Sequence, residues 1–216
     1  MTNRRRRPMF RTEQVAYWFF RLNGCMNIVN FLVHHERRGR EGTDVDILAV
    51  RFPHRQELAM SDEPMQDHPV FDSDGKTDLI IAEVKTGQCR LNGPWIDPDK
   101  QNMHRVLYAV GAFPEDRVPA VAESLYECQF YTDDHFRVRL FALGREKDPD
   151  LSPLVVQLTW EDMLTFIYQR LKKYHSTKSQ HRQWDWCGKR LYSKMRKHYR
   201  SSAEDFAQDV LAQMEG

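Results

Sequence analysis

Hydrophobic residues in this chain come in short runs separated by polar, Gly- and Pro-marked breaks, and the spacing within each run assigns it to an element. The first run has a broad apolar face at helical spacing and predicts a helix over 12–22, with Thr12 as cap, Glu13 in the first turn and Asn23-Gly24 as stop. Val29, Phe31 and Val33 alternate with Asn30 and His34 in a predicted strand over 25–34. Two denser runs, 44–52 and 78–86, are apolar enough to be buried on both faces of a sheet. Met103, Val106, Leu107 and Val110 then form the buried stripe of a helix over 99–110, opened by Asp97-Pro98. A second helix over 115–127 leads to strands over 128–132, 136–143 and 155–159. Thr159 is placed to cap a helix starting at Trp160, with Asp162 at its third position. Helices over 180–199 and 203–214 follow. Such an order predicts an α/β fold, a mixed sheet flanked by helices. The stretch 52–76 is polar, too long for a hairpin and poor in core-forming residues; it reads as an insertion over one end of the sheet, with 61–74 as its mobile middle.

Into the two densest runs are set charges that core strands rarely carry. Asp46 interrupts the first, and Glu83 and Lys85 close the second, where alternation puts both on one face and Val84 on the other. Burying carboxylates is costly unless they are paired or hold a metal. Two carboxylates a hairpin apart make an oxygen-rich site suited to Mg²⁺ or Mn²⁺, and a neighbouring Lys can orient a water or stabilise developing charge on a phosphate. That chemistry serves phosphodiester hydrolysis. The plainer alternative makes Glu83 and Lys85 a surface pair worth about 0–1 kcal/mol and Asp44 and Asp46 turn residues. It leaves an Asp followed by five mostly apolar positions unexplained.

At Gly42-Thr-Asp-Val-Asp46 and Glu83-Val-Lys85 the sequence resembles the PD-(D/E)XK nuclease superfamily, with the flavour of Holliday junction resolvases. The resemblance covers roughly 12–145, and the element order matches that of the family core. It implies a restriction-endonuclease-like fold and a Mg²⁺- or Mn²⁺-dependent nuclease acting on DNA. In that reading Asp46, Glu83 and Lys85 are catalytic, and Asp46, Glu83 and the Val84 carbonyl hold the metal. One extra residue separates Gly42 from Asp46, so Asp44 is a rival for the aspartate role, and no Pro precedes either Asp. Glu13 on the first helix either reaches the metal, as the resemblance implies, or complements the helix dipole. Lys100 and Gln101, in the first turn after Asp97-Pro98, are further candidates to face metal or phosphate. Arg105 stands where RecB-type exonucleases carry Tyr. Rival readings are a non-catalytic nucleic-acid-binding module with this fold and an RNA nuclease.

Charge is divided along the chain. Tyr168 to Arg200 holds eleven Lys or Arg against one acid, Asp185, leaving 21 of the 32 basic and 30 of the 31 acidic residues elsewhere. Within this stretch Trp184, Trp186, Leu191, Tyr192 and Met195 interleave with cations. Lys172, Lys173, Arg182, Lys189, Arg190, Lys194, Arg196 and Lys197 are therefore candidate nucleic-acid contacts, with the aromatics either stacking on bases or packing inward. The sequence divides into a basic tail over 1–11, an α/β core over 12–160 and a helical, largely basic segment over 161–216. The final helix, 203–214, is acidic and reads as a surface cover. No apolar run is long enough to span a bilayer, Arg4 to Arg7 do not lead into a secretory apolar stretch, and Cys25, Cys89, Cys128 and Cys187 show no zinc spacing. A cytoplasmic protein without membrane contact is the expectation, with a homodimer or partner subunit left open. Adjacent His34 and His35 point to opposite faces and do not make a chelating pair.

Overall fold

The computed structural model describes residues 9–36, 42–72, 74–178 and 184–214. The run Arg4 to Arg7 and the candidate Arg182 lie outside these residues. Helix α1 (Thr12–Leu22) is followed by strands β1 (Met26–Val33), β2 (Thr43–Arg51) and β3 (Thr77–Val84). The helical turn α2 (Gly93–Ile96), helices α3 (Asn102–Val110) and α4 (Val118–Cys128), and strands β4 (Phe130–Thr132), β5 (Phe136–Gly144) and β6 (Val156–Thr159) come next. Helices α5 (Trp160–Lys173), α6 (His175–Lys178), α7 (Trp186–Lys197) and α8 (Ala203–Leu211) complete the order.

The strands form one mixed sheet in the order β1-β2-β3-β5-β4, with β6 also joined to β5. β1, β2 and β3 are antiparallel neighbours, whereas β3 and β5 run parallel from Thr77↔Phe136 to Val84↔Leu143. β4 covers the start of β5 and β6 the end, on the same edge. Burial on both faces follows from the dense apolar runs: Ile47, Ala49, Ile80, Ala82 and Phe141 enter one core, and Leu48, Leu79, Ile81 and Leu140 the other. Helices α1, α5, α7 and α8 fill the first core with Phe19, Ile167, Leu191 and Phe206, and α2, α3 and α4 fill the second with Trp95, Met103 and Leu125. The described residues of the segment 161–216 are thus built into the same core as α1.

Several expectations need correction. α1 is preceded by Arg11 with no side-chain cap, and Thr12 is its buried first residue. The helix expected from 99 starts at Asn102, because Gln101 takes φ 54° and separates a 3-10 turn, Pro98–Lys100, from α3. The helix expected from 115 starts at Val118, with Pro119 in its first turn. The basic helix expected over 180–199 is described only from Trp186 to Lys197. The capping box of α5, Thr159 with Asp162, forms as the pattern indicates.

The stretch 52–76 is anchored, contrary to its reading as core-poor with a mobile middle. Met65 and Phe71 are buried, and Asp67 binds Arg51 at 2.8 Å, Arg55 at 2.6 Å and Arg170 of α5 at 3.0 Å. A lone Asp in a polar loop gives no periodic signal; two of its three partners lie on β2 and α5. Asp78, fully buried at the start of β3, is similarly bound by Arg137 and Arg139 of β5. None of the described helices is long and apolar enough to cross a membrane.

Candidate active site

The β2–β3 ladder ends at Ile47↔Ala82, one step short of where Asp46 would face Glu83. Beyond that point β3 stays paired only with β5, through Glu83↔Ala142, Val84↔Leu143 and a bond from Lys85 N to Leu143 O at 2.8 Å. On the open edge the Asp46 carboxylate replaces the missing backbone partner, Oδ2 accepting from Val84 N at 2.7 Å. In a strand the N–H and C=O of one residue point to the same neighbour, so the Val84 carbonyl also faces this gap.

Why the ribbon opens here is written in β1 and β2. Asn30, at the register position across from Asp46, has φ 52°, a conformation Asn tolerates better than most residues. On either side of it the faces exchange: Val29 packs on the first core and Phe31 on the second, as do Ile47 and Val45 of β2. Alternation is therefore broken at Asp46. Strict alternation would put Asp44 and Asp46 on one strand face; here Asp44 is exposed opposite Leu32, while Asp46 is half-buried.

Glu83 is buried and bonded at both oxygens. One oxygen, Oε1, accepts from Lys85 Nζ and from Asn92 Nδ2, and Oε2 accepts from Trp95 Nε1 at 2.6 Å. Trp95 comes from the second core; Trp160, in the first core, donates from Nε1 to the Lys85 carbonyl at 3.0 Å. Two indoles thus fix the Glu83–Lys85 segment from opposite faces of the sheet. Asn92 and Trp95 are the residues that the periodicity could not single out. Their only signal is a Trp in a polar Asn-Gly-Pro-Trp turn, where a buried indole needs a partner for its N–H.

The electrostatics follow from crowding. Burial, and secondarily the charge of Glu83, push the Asp46 carboxyl up to about 6 against the opposing bond from Val84 N–H. Two carboxylates in a poorly hydrated gap beside a backbone carbonyl are the hard oxygen donors that Mg²⁺ or Mn²⁺ takes, and Mg²⁺ is commonly held by one or two carboxylates with water completing its shell. The donor set fits such an ion. Among the described residues no group of three His, Cys, Asp or Glu is gathered at one point, so two carboxylates are what this place provides.

The remaining candidates separate. The turn that holds Glu83 also forms a wall of a cleft of about 850 Å³, lined by Pro94, Lys100, Gln101, Arg105, His35 and Thr43 among others. Lys100 and Gln101 therefore border this cleft, whose lining does not include Asp46, Glu83 or Lys85. Arg105 binds Glu36 through Nε at 2.9 and 3.0 Å and the Lys100 carbonyl through Nη1 at 2.5 Å, tying α3 to the end of β1. Glu13 lines a smaller cavity of about 220 Å³ with Asn30 and Asp185, and no hydrogen bond or ion pair joins it to Asp46 or Glu83. In the C-terminal segment the aromatics mostly pack inward: Trp184 lies against Trp18 and Tyr192, and Leu191 and Met195 are buried. Trp186 and Tyr199 alone of the described residues' large rings there are well exposed. Arg190 stacks on Trp186 at 3.9 Å, and Lys189 is exposed. Lys194 and Lys197 bind Asp209 of α8 at 2.8 and 2.9 Å, so α8 is more than a cover. Partial burial opposes ionisation of Asp209, but bonds from Lys194, His198 and Lys197 outweigh it and hold the carboxyl well below its usual range.

Comparison of the chain with protein-family models, curated proteins and solved structures finds no match.

Proposed function

We propose that the chain is a metal-dependent nuclease of the PD-(D/E)XK type, with a restriction-endonuclease-like core, that hydrolyses phosphodiester bonds in DNA. The observation that carries this reading is the opened edge past Ile47↔Ala82, where Asp46, Glu83 and Lys85 meet on rigid β-structure. Asp46, Glu83 and the Val84 carbonyl would hold Mg²⁺ or Mn²⁺, which when bound supplies Lewis-acid stabilisation of charge on the scissile phosphate. Lys85 carries its ammonium beside Glu83, where it can turn to donate to an attacking water and hold it in line. Trp95 and Asn92 orient Glu83, and Trp160 fixes the backbone under Lys85. Lys100 and Gln101, bordering the cleft, are placed to meet the strand.

One observation favours a second reading, a non-catalytic nucleic-acid-binding module: Glu83 already has three donors and could be a structural carboxylate. Calorimetric titration with Mn²⁺ in the absence of substrate separates the two. The nuclease reading expects binding by the unaltered chain that is lost in Asp46→Asn and Glu83→Gln. Absence of binding in all three favours the module.

A further inference from the structure

The cations of the C-terminal helices are not equally occupied. Lys194 and Lys197 converge on Asp209, as described, whereas Lys172, Lys173 and Arg196 line a pocket of about 490 Å³ with His175, Ser176 and Tyr199. No carboxylate lines it. Lys172 Nζ donates to Tyr168 Oη at 3.0 Å and sits 5.1 and 5.4 Å from the ring centres of Tyr168 and Tyr199. Tyr168 is itself fixed, its single O–H facing the carbonyls of His198 and Ser201 at 2.8 and 3.0 Å. Rings and a hydroxyl orient the ammonium without neutralising it. Lys173 pairs with Glu63, 3.3 Å away and outside the pocket, with both side chains more than half exposed, and its Nζ sits 5.5 Å from the ring centre of Tyr174. Arg196 is exposed and has no acidic partner among the described residues.

Three like charges around one concavity repel until an anion enters, and Lys and Arg together match phosphate oxygens by charge and by paired N–H donors. Tyr199, 44% exposed at the rim, offers a ring on which a base can stack. Helix α5 links this pocket to the carboxylate site: Trp160, its first residue, holds Lys85, and Lys172 lies twelve residues on, ~18 Å along the axis. We propose that this pocket binds a phosphate group of the nucleic-acid substrate, away from the bond to be cut. The proposal rests on the nuclease reading for the identity of the ligand.

The test uses the full chain carrying Glu83→Ala, in EDTA, so that binding is read without cleavage. Fluorescence anisotropy of a labelled oligonucleotide is followed against salt for this chain, for added Lys172→Gln with Arg196→Gln, and for added Lys189→Gln with Arg190→Gln. Removing the pocket cations should weaken binding at least about tenfold and lower the log–log salt slope by about 2, and removing Lys189 and Arg190 should do clearly less. Equal losses from both pairs would overturn the pocket in favour of a diffuse basic face, and no loss from the pocket pair would overturn it outright. Lys172→Arg with Arg196→Lys keeps the charges and should keep the affinity; if it falls as far as the Gln pair, the residues serve packing instead. A 5′-phosphorylated oligonucleotide binding tighter than its 5′-hydroxyl form, only with the pocket intact, assigns a terminal phosphate, and equal binding assigns an internal one. A parent chain that cleaves DNA with unchanged KM after the pocket substitutions would sink this proposal alone; a parent that neither binds nor cleaves would sink the nuclease reading.

Discussion

Trp95 Nε1 donates to Glu83 Oε2 at 2.6 Å, with both side chains buried in the core formed by α2, α3 and α4. The indole is one of three donors that satisfy the oxygens of this buried side chain. Trp95→Phe keeps most of the ring and removes the donor, leaving a buried oxygen without a partner at a cost of about 1.5–3 kcal/mol. Urea unfolding at neutral pH should show that loss. An unchanged midpoint would mean that Glu83 does not depend on Trp95.

Asp46 gives a pH dependence with a definite sign. Its carboxyl is raised from 3.8 to about 6, so the folded chain binds the proton more tightly than the unfolded one. The associated stability is present below about 4, is lost as pH rises to about 6, and stays lost above. Asp46→Asn can still accept from Val84 N–H but does not titrate. In metal-free buffer its Tm relative to the parent should rise between pH 4 and 6 and level off beyond. A mutant Tm that stays level or falls relative to the parent over that interval would contradict the burial of Asp46.

Asp67 ties the 52–76 stretch to β2 and α5 through the nearly inaccessible guanidinium groups of Arg51 and Arg170, and binds Arg55 of the same stretch. Breaking a buried charge cluster from one side costs about 3–5 kcal/mol, because the remaining charges lose their counter-ion. Asp67→Asn is expected to fall in that range by urea unfolding and to make the stretch a site of rapid proteolysis. A loss under about 1 kcal/mol, the worth of a surface pair, would show that the cluster is solvated.

What the sequence made readable was what repeats at fixed spacing. The dense runs around Ile47 and Ile80 gave the buried strands, and Thr159 with Asp162 marked a helix start because both halves of the capping box are local. Asp46, Glu83 and Lys85 stood out as charges in apolar strands. Residues whose role depends on distant partners were hidden: Trp95 twelve residues beyond Glu83, Trp160 across the sheet from it, and Asp67, two of whose three guanidiniums come from other elements. The face exchange at Asn30 and Asp46 was hidden too, since a single positive φ leaves the alternating pattern of residue types intact while reversing which side each occupies. Charge totals did not show that Lys194 and Lys197 are paired, because their partner Asp209 lies beyond the basic segment in sequence.

The most direct measurement is single-turnover cleavage of labelled DNA in Mg²⁺ by the parent chain and by Asp46→Ala, Asp44→Ala and Lys85→Ala, each repeated in EDTA. The parent should cut only with metal, Asp46→Ala and Lys85→Ala should lose at least about 10²-fold in rate, and Asp44→Ala should stay within a few-fold of the parent. Cleavage that persists in EDTA, or that survives Lys85→Ala at the parent rate, would contradict the assignment of Asp46, Glu83 and Lys85 as a metal-dependent nuclease site.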